Sequence, residues 1–142
     1  MPDQPVVDSH VHLYDPSVLP YGWMRGDPVL GRRHGLAELD RAAGAVAIER
    51  LVFVEVAVDP GHHVEEARRV QALADRDPRI GAIVAHAPVE RGAAVEAELD
   101  ALAALPALRG IRRLIQDEPD PAFCLAPDFV EGVRRVGARG LV

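Results

Sequence analysis

A repeating rhythm constrains this chain more than any single motif. Four short runs rich in Val, Ile and Leu recur at 6–14, 51–58, 80–88 and 110–116. Short apolar runs dominated by β-branched residues suit buried strands. Between them lie segments with apolar residues at helical spacing, 35–43, 63–74, 93–105 and 127–138. The last opens on Pro127 and Asp128 and closes on Arg134, Arg135, Arg139 and Gly140. That order matches the helix dipole and a glycine stop. After the first unit the strands repeat at about 30 residues, the size of a βαβ unit. The pattern predicts an α/β chain of four βα units, with Leu141-Val142 beginning a fifth strand. The first interval is longer because residues 15–34 form an irregular insert with Gly, Pro and aromatics. Such a loop after a strand is where α/β enzymes place active-site residues.

Charge and composition narrow the function classes. A net charge of −6 supplies no broad basic footprint, which speaks against nucleic acid as a partner. The single cysteine cannot form an internal disulfide or a thiolate zinc cluster. No apolar run approaches the roughly 20 residues of a membrane span. Neither a basic start nor an apolar stretch marks a signal peptide at the N-terminus. The expectation is a soluble, cytoplasmic globular protein without a membrane partner.

Strand side chains alternate, so parity sorts each run into two faces. In the first, Val7, Ser9, Val11 and Leu13 oppose Asp8, His10 and His12. In the second, Val52, Val54, Val56 and Val58 oppose Leu51, Phe53, Glu55 and Ala57. His86 shares a face with Ala82 and Val84, and Arg112 with Gly110, Leu114 and Gln116. One face thus collects Asp8, His10, His12, Glu55, His86, Arg112 and Gln116. In a closed parallel barrel that face is the interior, and its C-terminal end is where barrels keep catalytic groups. Burying so many ionisable groups is costly unless they pair, hydrogen-bond or hold a metal.

His10 and His12, two apart on a strand, project the same way and can reach one divalent cation such as Zn²⁺. Glu55, a lone carboxylate in an apolar run, needs a partner. Arg112 either is a working group of that face or bridges Asp8 or Glu55 in a structural ion pair. His86 either lines the pocket or is a hydrogen-bonded core histidine. Tyr21 and Trp23 either stack on a sugar-like ring or anchor the insert. His62 and His63 read as a solvated helix start, and Arg113 as a surface residue.

Several stretches resemble the amidohydrolase-related lactonases, the branch of the amidohydrolase superfamily that includes L-fuconolactonase, L-rhamnonolactonase and pyrone-dicarboxylate lactonase. They are Val7-Asp8-Ser9-His10-Val11-His12-Leu13-Tyr14-Asp15, followed by Tyr21-Gly22-Trp23-Met24, then 51–57, 80–88 and 108–119. The stretch Gly110-Ile111-Arg112-Arg113-Leu114-Ile115-Gln116-Asp117-Glu118-Pro119 is the most specific. The resemblance runs along the whole chain. It implies a (β/α)₈ TIM barrel, of which residues 1–142 form a partial domain: four βα units and the start of strand five. It implies hydrolysis of a sugar-acid or carboxylated lactone by metal- or Arg-assisted attack of water. Site residues carried over are His10 and His12 for a divalent metal (Zn or Mn) and Glu55 and Arg112 at strands two and four. Tyr21, Trp23, His86 and Gln116 are the expected substrate contacts. The family's strand-six His and strand-eight Asp have no counterpart here, so the chain alone is expected to be inactive and to self-associate through unclosed barrel edges. Competing readings are a metal-dependent decarboxylase or phosphoesterase of the same superfamily, or a non-catalytic fragment.

Overall fold

The computed structural model describes residues 4–142. Its order is β1 (Val6–Val11), α1 (Leu36–Ala43), β2 (Ile48–Val54), α2 (His63–Ala74), β3 (Ile80–His86), α3 (Glu96–Ala103), β4 (Leu108–Arg112) and α4 (Pro127–Ala138). The four strands form one sheet in the order β1-β2-β3-β4, and all neighbours are parallel. Each strand is followed by a helix, as in the first four βα units of a (β/α)₈ barrel. Val142 extends the sheet. Its N–H donates to the Arg109 carbonyl at 3.1 Å, and its carbonyl accepts the Ile111 N–H at 2.7 Å. Those two bonds bracket Gly110 as a parallel ladder does, so the fifth-strand expectation has a hydrogen-bonded basis.

Helices α2 and α4 occupy the residues their sequence signals mark. Proline stands at the first position of α4, and Glu65 and Glu66 lie in the first turn of α2. The third helix begins later than the pattern suggests. A 3₁₀ segment over Val89–Val95 precedes α3, with a break at Gly92, whose φ is +56°. Gly132 of α4 packs on this segment so closely that a Cβ there would lie 1.9 Å from the Val89 carbonyl oxygen.

The apolar core lies between sheet and helices. It joins Val11, Leu51, Phe53, Ile83 and Ala85 to Ala67 and Val70 of α2, Leu99 and Leu102 of α3, and Val136 of α4. This reverses the parity expected for the second strand. Leu51 and Phe53 are fully buried on the helix side, and Phe53 pairs with Ile83. Val52 and Val54 share the opposite face with their partners Ala82 and Val84. Within the strand the side chains alternate as expected; the difference lies in Glu55, which sits beyond the strand end at Val54 and so does not mark the face of Leu51 and Phe53. Strands β1 and β4 also end earlier than the apolar runs do, at Val11 and Arg112. His12 therefore follows its strand, and Gln116 lies in an exposed turn beyond β4. No helix is long and apolar enough to cross a membrane among the described residues.

Candidate functional site

Chemistry-bearing side chains gather where the strands end. Glu55, the residue after β2, is 0 % exposed. Its Oε1 accepts Arg112 Nε–H at 2.6 Å, and its carbonyl accepts an Arg112 Nη2 hydrogen at 2.5 Å. Oε2 accepts the Ala57 N–H at 2.7 Å. The carboxylate is thus enclosed and fully committed, and Glu55 can act on a substrate only through Arg112. The guanidinium is about a quarter exposed. Of the two roles open to Arg112, the structure shows the pairing with Glu55, and the Nη1 edge has no protein acceptor among the described residues. Glu55 reaches Arg112 despite the inverted face of β2 because the strand stops at Val54. Beyond it the chain turns, and Ala57 takes a φ of +52°.

His10 and His12 stand edge to face with ring centroids 4.9 Å apart. His12 Nδ1 lies 2.9 Å from the Val54 carbonyl oxygen. A carbonyl only accepts, so Nδ1 carries the proton and Nε2 keeps its lone pair. Burial holds the His12 pKa below the usual imidazole value, with the His10 and Arg112 charges adding to the effect and the Val54 bond and Glu55 opposing it. A neutral ring whose other nitrogen is tied to a carbonyl is the state that metal-ligating histidines adopt. His12 is therefore in the state of a metal donor, with the His10 ring beside it. Among the described residues, no three His, Cys, Asp or Glu side chains converge to complete a divalent-cation site.

His86, at the end of β3, meets His63 edge to face, with centroids 5.2 Å apart. Burial lowers both pKa values. The Glu55 charge opposes the shift at His86, and the Glu98 charge opposes it at His63. Nε2 of His63 is buried without a hydrogen-bond partner, so His63 is no solvated helix start. Arg113 also departs from expectation. It is mostly buried, bonded to Glu90 at 2.9 Å and Glu118 at 2.5 Å, and stacked 5.0 Å from the Phe123 ring centre.

The insert reaches the site differently from a stacking platform. Tyr21 is 6 % exposed, and its hydroxyl donates to Glu66 Oε1 at 3.0 Å. Trp23 is half exposed, but its Nε1–H donates to the Val56 carbonyl at 3.0 Å. Gln116, exposed in its turn beyond β4, is not among the hydrogen-bond partners of the Glu55–Arg112 pair. Glu66 was missed by the sequence reading. It is 2 % exposed on α2, and burial raises its pKa to about 7, with the Tyr21 bond opposing and the Glu55 charge adding. The signal was present, because 66, 67, 70, 73 and 74 form one helical stripe whose other members are apolar.

No family model matches this chain, and no curated protein matches it. Solved structures do. A protein described as amidohydrolase 2 from Bifidobacterium longum subsp. infantis superposes with a TM-score of 0.70 at 27% identity, over 96% of this chain and 49% of that one. An amidohydrolase from Burkholderia multivorans crystallised with bound zinc gives 0.73 at 30% identity, over 97% of this chain and 47% of that one. A second structure of a Burkholderia multivorans amidohydrolase, with bound HEPES, gives 0.74 at 26% identity over the same shares. The chain spans about half the length of each structure it matches.

Proposed function

We propose, from this likeness to the amidohydrolase superfamily, that the chain supplies the first four βα units and part of the active site of a hydrolase. Its substrate in this reading is a sugar-acid or other carboxylated lactone. The observation that carries the reading is the enclosed Glu55–Arg112 pair beside His12. Glu55 fixes the guanidinium through Nε and Nη2, leaving the Nη1 edge to donate toward a carbonyl oxygen as water adds and negative charge develops. A preset donor of this kind stabilises the charge without reorganising. His10 and His12 would hold a divalent metal, which when bound polarises a carbonyl and acidifies water. The zinc reported with the Burkholderia multivorans amidohydrolase supports that assignment. His86 would border the same space, and Trp23 would offer the exposed part of its ring to the substrate.

The test is lactone hydrolysis and bound-metal measurement on a complete homologue carrying the His-x-His and Gly-Ile-Arg-Arg stretches. His10→Ala should lower metal content, and Arg112→Ala should lower turnover by roughly 10²-fold or more, the usual effect of removing one oxyanion donor. Unchanged turnover in both variants would remove the assignment. Carboxylated aromatics and phosphate esters, run beside the lactones, would expose a decarboxylase or phosphoesterase instead.

A further inference from the structure

Glu66 is a buried carboxylate with no task in the reaction above. Its Oε1 accepts the Tyr21 hydroxyl at 3.0 Å, and its Oε2 accepts the Val56 N–H at 3.4 Å. Trp23 holds the other end of residue Val56, donating to its carbonyl at 3.0 Å. The next residue, Ala57, is the one non-glycine residue with positive φ among the described residues. Its N–H is the donor that closes on Glu55 Oε2. A left-handed alanine costs about 1 kcal/mol and persists only where its surroundings over-determine it. Asp59 adds two ties to the same region. Its carboxylate accepts the Gly22 N–H at 2.6 Å, and its own N–H donates to the Pro20 carbonyl at 2.9 Å. The insert is thereby stitched onto the turn after β2, with Glu66 beneath both.

We propose that Glu66 is a positioning residue: together with Tyr21 and Trp23 it holds the Val56–Ala57 turn, so that Glu55 meets Arg112 in the orientation the reaction needs. Tyr21 then serves the site from within the protein and not as a stacking surface. The inference rests on reading Glu55–Arg112 as part of a hydrolase site. An ionised Glu66 accepts more strongly from Tyr21 and Val56 and also repels the Glu55 carboxylate, so its protonation state is felt at the turn. Facing it are Tyr21 from the insert, Glu55 from the end of β2 and Arg112 from β4.

The experiment uses the chain itself, without substrate. Nitrogen-15 NMR follows the Ala57 amide and the Arg112 Nε–H, and fluorescence follows Trp23, the single tryptophan. Glu66→Leu should keep the circular dichroism of the sheet but lose the hydrogen-bonded shifts of both NMR signals. Glu66→Gln keeps an acceptor and should restore them. Trp23 emission should titrate with a midpoint at about 7. Tyr21→Phe should raise that midpoint, and Glu66→Gln should abolish it. Should Glu66→Leu unfold the chain, the Gln and Phe variants decide. Unmoved Ala57 and Arg112 signals in folded Glu66→Leu would overturn the proposal, as would an unchanged Trp23 titration in Glu66→Gln. A lack of lactone turnover in the complete homologue would count against the hydrolase reading and leave these signals unaffected.

Discussion

Replacing Arg112 with Met isolates the central pair. The substitution keeps an unbranched side chain and removes both donors that Glu55 holds. Glu55 is then a fully enclosed carboxylate with only the Ala57 N–H left on it. Removing one partner of a buried ion pair costs about 3–5 kcal/mol. Arg112 is about a quarter exposed, so water can enter along its path, and we expect about 2–3 kcal/mol. The reverse change, Glu55→Gln, keeps an acceptor and leaves behind a guanidinium that solvent can reach, so about 1–2 kcal/mol is expected. Replacing both by apolar residues should cost less than Arg112→Met alone, because no charge is stranded. Urea unfolding followed by circular dichroism measures all three, at constant m-value so that the midpoints report stability. The reasoning fails if Arg112→Met costs less than about 1 kcal/mol, or if replacing both side chains costs as much as Arg112→Met alone, which would show that no stranded charge dominates the single variant.

Gly132→Ala should destabilise by about 1–3 kcal/mol through overpacking against the Val89 carbonyl, visible as a lower urea midpoint. Stability against pH should show two opposing contributions. Glu66 has a folded pKa raised to about 7 from 4.5, so its contribution is full below 4.5 and lost as pH rises through 7, about 3 kcal/mol in all. His12, His63 and His86 have lowered folded values, so theirs is present above 6.5 and lost as pH falls through those values. Glu66→Gln should remove the first and make stability climb with pH more steeply than in the unaltered chain; parallel curves would refute the assignment. Size-exclusion chromatography of residues 1–142 should show concentration-dependent association, since β1 has a strand neighbour on one side only among the described residues. A sharp monomer at all concentrations would count against it.

Much of the fold was legible because its signals were redundant. Helix α4 has proline at its start, an acid beside it and arginines at its end, and each points to the same boundaries. The second strand carried no such redundancy. A parallel strand covered on both faces is apolar throughout, so parity in 51–54 had only Glu55 to anchor it, and Glu55 lies beyond the strand end at Val54. Gln116 was placed on a strand because an apolar run continues past Arg112. The chain has already left the sheet there: Arg113 is held by Glu90, Glu118 and Phe123, and Ile115 and Gln116 are exposed.

The site departs from sequence rules within one short stretch, and the departures share a cause. Between residues 55 and 66 the chain holds two buried carboxylates, a left-handed alanine and, at His63, a buried imidazole nitrogen without a partner. Each opposes stability on its own. The carboxylates are also near enough for the Glu55 charge to raise the Glu66 pKa. A stretch selected for stability alone would replace Glu66 with Leu, extending the apolar stripe of α2, and would place Gly at 57. What the present residues supply instead is orientation: Tyr21 and Val56 fixed by one carboxylate, Ala57 and Arg112 by the other. Strain concentrated at the C-terminal end of a parallel strand, where barrel chemistry takes place, is the pattern that the proposed hydrolase site accounts for and that stability alone does not.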